Sequence, residues 1–242
     1  SFDGDMAMQN ANRSSSFNNV DLDFFVKTWP NQSVKMTISP DTISNMAEGV
    51  MFLHRKGFKY ISADLAMGNS IEWTKEKLVI YKTELKKLVE FYLANPQLIP
   101  FSMLRVAVNS IMHINAATHK TCSCGEDMVC VDWTGKAYAC HLFSPVTISM
   151  EKAAKAAKTI DFKDHLCFNN GKCAKCVLNT VCTHCYGMNY VCSDDINTPS
   201  PFHCSAFKLQ FVANCRYQLQ IAKRNGEDDA ILRINKLINK IV

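Results

Sequence analysis

The first hundred residues alternate between two apolar periods. Ser33-Val34-Lys35-Met36-Thr37-Ile38 switches between polar and apolar at every step, the period of a strand with one buried face. Ser39 is placed to cap a helix and Pro40 to open it, and Met46, Val50 and Leu53 then fall on one helical face that ends at Gly57. Phe58–Leu65 predicts a second strand, running out in Gly68-Asn69-Ser70. From Thr74 to Ala94, the residues Leu78, Tyr81, Leu85, Leu88, Val89 and Tyr92 line one side of a long helix, which Asn95-Pro96 stops. Met103–Val108 predicts a third strand.

Strand, helix, strand, helix, strand at this spacing predicts an α/β fold with a parallel sheet. Three strands are too few to make such a sheet, which is normally buried on both faces. Residues 1–115 are therefore expected to be the C-terminal part of a larger α/β barrel or open sheet. Further on, Met128–Trp133 and Lys136–Cys140 predict a hairpin about Thr134-Gly135. The helical period returns at the end of the chain. Phe207, Phe211, Cys215, Leu219 and Ala222 line a helix from Ala206 to Arg224, closed by Asn225-Gly226. Ile231, Ile234, Leu237, Ile238 and Ile241 line another that starts at Asp228.

Composition narrows the class. Of the 242 residues, 48% are hydrophobic and 20% charged, which excludes a disordered chain. No apolar run reaches the ~18 residues of a membrane helix. A net charge of +5 from scattered Lys and Arg describes a solvated surface rather than a nucleic-acid face. Ser1-Phe2-Asp3-Gly4-Asp5 has neither the basic nor the apolar region of a secretion signal. The expectation is a cytoplasmic protein with no nucleic-acid or membrane partner.

The twelve cysteines change the picture most. Residues 1–121 hold none, and between Cys122 and Cys215 they make up roughly one residue in eight, above the ~8–10% that marks a segment held by sulfur chemistry. In a reducing compartment such density favours metal over disulfides. Cys173-Ala174-Lys175-Cys176 and Cys182-Thr183-His184-Cys185 are two CxxC pairs with five residues between them. Each lets two thiolates turn towards one centre, and thiolates suit zinc or iron–sulfur clusters. A hairpin brings its ends together, so Cys122 or Cys124 could approach one site alongside Cys140. Cys204 follows Cys185 after an 18-residue excursion. Eight of these thiols could make two four-thiolate sites.

Cys122 or Cys124, Gly135-x4-Cys140, Cys173-x2-Cys176-x5-Cys182-x2-Cys185 and then Cys204 resemble the SPASM domain. That domain is the C-terminal extension of radical S-adenosylmethionine (radical SAM) enzymes that modify peptides and proteins. Cys122 and Cys124 both satisfy the first spacing of the family pattern. The chain departs from it by having two residues, rather than three, before Cys185. Ser1-Phe2-Asp3-Gly4-Asp5 with Arg13 downstream is similar to a segment of the same enzymes' barrel.

The resemblance implies that residues 1–115 are late strands and helices of a partial (β/α)6 radical SAM barrel, 116–210 a SPASM domain and 211–242 C-terminal helices. It implies two auxiliary 4Fe-4S clusters, for electron transfer, substrate binding or both. The first would sit on Cys140, Cys185 and at least one of Cys122 and Cys124; the second on Cys173, Cys176, Cys182 and Cys204. With both Cys122 and Cys124 the first has four ligands; with one, an open iron could bind substrate. Cys130 is a candidate additional ligand, and Cys167, Cys192 and Cys215 are spare. The implied partners are a ribosomally made peptide or protein as substrate and an electron donor such as a flavodoxin or ferredoxin. S-adenosylmethionine and a third 4Fe-4S cluster belong to the full-length parent, on a C-x3-C-x2-C motif. That motif occurs nowhere in these 242 residues. It is expected upstream of Ser1, and this chain alone is expected to be inactive.

Ser1 and Asp3 stand where relatives approach S-adenosylmethionine, with a turn-forming role as the equal alternative. His141, directly after Cys140, is a candidate catalytic base, where relatives that mature sulfatases carry Asp; an exposed or hydrogen-bonded histidine is the plainer alternative. His184 could support the ligands on either side of it. The other classes are a zinc-binding interaction module without catalytic activity and a disulfide-stapled protein.

Overall fold

A computed structural model describes residues 1–68, 71–106, 108, 120–168 and 171–241. The chain forms two compact units, one of Ser1–Ala66, Ile71–Asn109 and Ser205–Val242, the other of Met67–Ser70 and Ser110–Cys204. The C-terminal helices thus group with the first unit, where the sequence sets 211–242 apart. The expected 115/116 boundary and the expected strand end at Asn69-Ser70 lie outside the described residues.

In the first unit, α1 (Met6–Asn12) and α2 (Leu22–Thr28) precede the sheet, their N-termini capped by the Asp5 and Asp21 side chains. β1 (Val34–Ile38) and β2 (Ile61–Leu65) then pair in parallel, with Val34 opposite Ile61 and Ile38 opposite Leu65. The alternation of β1 holds: Val34, Met36 and Ile38 are buried while Lys35 is exposed. Between the strands runs α3 (Met46–Arg55). It starts later than Ser39-Pro40 predicts, because a turn from the Thr42 N–H to the Ser39 carbonyl, 3.2 Å, comes first. The helix start is fixed from elsewhere: the buried Glu84 carboxylate accepts the Ala47 N–H at 2.9 Å, a good partner for a helix N-terminus.

Glu84 lies on α4 (Lys75–Ala94), which Thr74 caps. Tyr81, Leu85, Leu88, Val89 and Tyr92 form its buried side.

The third strand is a correction. Ser102–Leu104 is a 3-10 turn, and no strand follows among the described residues of this segment. Side chains supply the partners that a strand would have supplied. Ser102 Oγ accepts the Ala63 N–H of β2 at 2.8 Å. Two residues of α7 (Pro201–Asn225) do the rest. Asn214 Oδ1 accepts the Val106 N–H at 2.9 Å, its Nδ2 donates to the Met103 carbonyl at 2.6 Å, and Gln218 Nε2 donates to the Val106 carbonyl at 2.6 Å. α7 begins at Pro201, earlier than expected, and α8 (Asp228–Ile241) follows as expected. The sheets of the described residues are two-stranded, and they contain no closed barrel.

In the second unit, β3 (Cys130–Val131) and β4 (Ala137–Tyr138) form the expected antiparallel hairpin, with strands of two residues each. Asp132 Oδ1 holds the turn by accepting from the Thr134 N–H, the Thr134 hydroxyl and the Lys136 N–H. α5 (Met150–Thr159) and α6 (Tyr186–Ser193) complete the unit. Its core packs Leu142, Phe143, Phe168, Tyr186 and Tyr190 around buried Cys124 and Cys140. No helix of the described residues is long and apolar enough to cross a membrane.

Candidate metal centres

The hairpin and α6 assemble a first group of thiols. Gly125, next to Cys124, has φ of +75°, and its N–H is shared between the carbonyls of Met128 at 3.0 Å and Ala139 at 2.9 Å. A Cβ there would come within 2.4 Å of Phe162 Cβ, so the position admits only glycine. Cys124 is thereby pinned beside the strand that leads into Cys140. Cys185 sits at the N-cap of α6. The next residue, Tyr186, accepts the Thr121 N–H on its hydroxyl at 3.0 Å, which draws the Cys122 segment to the same helix start. Gly187 lets α6 close on Leu142: a Cβ would lie 2.6 Å from Leu142 Cβ.

Cys122 and Cys140 therefore each come within range of both Cys124 and Cys185. The Cys124 thiol hydrogen-bonds to the Cys122 sulfur, which lowers the Cys122 pKa and raises that of Cys124. Burial raises Cys140 and lifts Cys185 to about 11, and the charge of Cys122 adds to both. Cys130 also acts on Cys140 and is a fifth thiol near this group.

A second group forms on the loop between Cys173 and Cys182. Short turns wind it: the Cys176 N–H donates to the Cys173 carbonyl at 3.0 Å, Asn179 to Cys176 at 3.0 Å, and Cys182 to Leu178 at 2.8 Å. Cys204 joins from the first turn of α7. His203 Nε2 donates to the Thr183 carbonyl at 2.9 Å and ties that turn to the second CxxC. Burial lifts Cys182 to about 12, helped by the charges of Cys173, Cys176 and Cys204. Burial likewise raises Cys173, with Cys176 and Cys204 adding to it.

All eight candidate ligands thus fall into two groups of four. The split runs through one motif: Cys182 belongs to the second group, and Cys185, three positions on, to the first. His184, between them, is buried. Its Nε2 donates to Asn179 Oδ1 at 2.9 Å, and its ring stacks on Tyr186 at 6.1 Å. Burial lowers its pKa. His184 therefore braces the stretch that serves both groups.

The remaining cysteines lie apart in role. Cys167 donates to Asp164 Oδ2 at 3.1 Å, Cys192 is exposed, and Cys215 is a core residue of α7 whose thiol burial pushes up to about 12. His141 has an exposed side chain, and its carbonyl accepts from the Ser144 and Thr147 hydroxyls. In the first unit, Ser1 is exposed and borders a cleft of about 640 Å³ with Phe25, Trp29, Lys35 and Phe58. Asp3 is 1% exposed. Its Oδ2 accepts from Arg13 Nε at 2.9 Å, and its Oδ1 accepts from Arg13 Nη2 at 3.2 Å and from the Thr37 N–H at 2.8 Å, so Oδ1 ties the N-terminal segment to β1.

One charged residue near the first group escaped the sequence reading. Lys120, two positions before Cys122, is buried, with its ammonium among three oxygens. A lone lysine next to a cysteine motif gives no sign in sequence of being buried.

Among the described residues, no three Cys, His, Asp or Glu side chains converge tightly enough to hold a single metal ion. One zinc bonds sulfur at about 2.3 Å and would draw its ligands into near contact. Within each group the thiols act on one another's charge. Thiols are soft donors, of the kind that suit zinc or iron–sulfur chemistry. No family model matches the chain, and no curated protein matches it.

Proposed function

We propose that the chain binds two 4Fe-4S clusters and forms the auxiliary-cluster part of a radical SAM/SPASM enzyme that modifies a ribosomally made peptide or protein. The observation that carries this reading is the sorting of eight cysteines into two interleaved groups of four. Cys122, Cys124, Cys140 and Cys185 would hold the first cluster. Cys173, Cys176, Cys182 and Cys204 would hold the second. When bound, each cluster supplies reversible one-electron transfer. The chain's own residues position the thiols, shield them with the aromatic core and brace the loop between the groups through His184 and His203.

Residues 1–115 are assigned in this reading to the late part of the enzyme's barrel. The expected partners are the peptide or protein substrate and a flavodoxin- or ferredoxin-type donor. Radical generation is not assigned to these residues, because they carry no C-x3-C-x2-C.

The test is anaerobic reconstitution with excess iron and sulfide, followed by iron and sulfide analysis. The expected content is about eight of each per chain, as two four-iron clusters require. Cys140→Ser and Cys182→Ser should each remove about four irons, and from different clusters. Bound zinc without sulfide would replace this reading with the zinc module; an absence of free thiols would replace it with a disulfide-stapled protein.

A further inference from the structure

Lys120 is the one Lys or Arg among the described residues whose side chain is buried. Its side chain is 1% exposed. Its three N–H donors meet three acceptors: the Cys124 carbonyl, Glu126 Oε1 at 2.7 Å and the Phe162 carbonyl at 2.6 Å. The Phe168 ring lies 5.2 Å from the ammonium. Burying an ammonium is costly, and hydrogen bonds to every donor offset that cost. Its counter-ion is less buried than it is. The Glu126 side chain is 31% exposed and also faces His165 Nε2 at 2.9 Å. Solvent therefore screens the carboxylate more than the ammonium, and the field inside the unit is left positive beside Cys124.

That field reaches the first group. The Lys120 charge acts on the sulfurs of both Cys122 and Cys124. Beside the second group, Lys172 and Lys175, its neighbours in sequence, are exposed. Adding an electron to a thiolate-bound cluster adds negative charge, which a fixed nearby cation favours. Net charge and hydrogen bonding are among the factors that set cluster potentials.

We propose that Lys120 is a positioning residue that anchors the Cys124 loop and raises the reduction potential of the first cluster, leaving the second unaffected. This inference rests on the two-cluster reading. It makes the two centres unequal, with the first the better electron acceptor for its environment.

The experiment is an anaerobic redox titration of the full reconstituted chain, followed by electron paramagnetic resonance with dithionite as reductant. Cys182→Ser identifies the signal of the first cluster. Lys120→Gln keeps a hydrogen-bond donor but removes the charge. It should lower the reduction equilibrium constant of the first cluster about tenfold, a shift of about 59 mV for one electron. Lys120→Arg should restore the potential. Glu126→Gln, at a partly exposed position, should move the same potential the opposite way even if Lys120→Gln fails to accumulate. Unmoved potentials, or equal shifts in both clusters, would overturn the proposal while leaving the two-cluster reading intact. Failure to bind about eight irons would overturn that reading, and this inference with it.

Discussion

A single side chain can carry a measurable pH dependence, and His54 is the clearest case. Its Nδ1 faces the Phe58 carbonyl at 3.0 Å, which can only accept, so Nδ1 holds the proton. Its Nε2 then accepts from the Tyr92 hydroxyl at 2.8 Å, and that hydroxyl accepts the Phe101 N–H at 3.0 Å. The chain of bonds needs the neutral ring. Burial accordingly depresses the His54 pKa below its ordinary 6.5, against a smaller opposing effect of the Phe58 carbonyl. Below that value the unfolded chain binds the proton and the folded chain resists it, so stability falls as pH drops through about 6.5 towards the folded pKa. Buried His184 and half-buried His203 act with the same sign. In urea titrations from about pH 7.5 to about 5.5, His54→Gln should show a smaller fall in midpoint than the parent chain.

At the scale of elements, the segment around Val106 shows what periodicity can and cannot reveal. β1, β2 and α4 were legible because each satisfies its backbone locally or with a partner of like period. Met103–Val108 has the apolar composition of a strand, yet the groups that satisfy it lie more than a hundred positions away, on Asn214 and Gln218. Nothing in a local pattern announces such partners. Asn214 is fully buried, and Asn214→Ala leaves the Val106 N–H and the Met103 carbonyl unpaired. The expected cost is about 3 kcal/mol, and hydrogen exchange at the Val106 amide should accelerate more than at β1. The candidate metal centres divide in the same way. The cysteine spacing was legible because each CxxC pair lies within one short loop. Lys120 was invisible, because its burial depends on Phe162 and Phe168, some forty positions on.

Across the whole chain, regular structure is unevenly spread. Among the described residues, the first unit has a parallel sheet, α4, α8 and most of α7, the three longest helices. The second has a hairpin of two-residue strands, two short helices and a series of turns. So little hydrogen-bonded structure leaves the second unit to be held by its aromatic core and its cysteine loops. Domains whose ligands come together only on folding gain their stability from the bound metal. Chelation of iron should therefore expose Ser110–Cys204 to protease while β1, β2 and α4 stay protected, as limited proteolysis with mass mapping would show.

The division of Cys182 and Cys185 between the two groups has a consequence for assembly. Only Thr183 and His184 separate them, so filling one centre fixes the stretch that the other must grip. In the two-cluster reading, loading at one set of thiols is therefore expected to favour loading at the other.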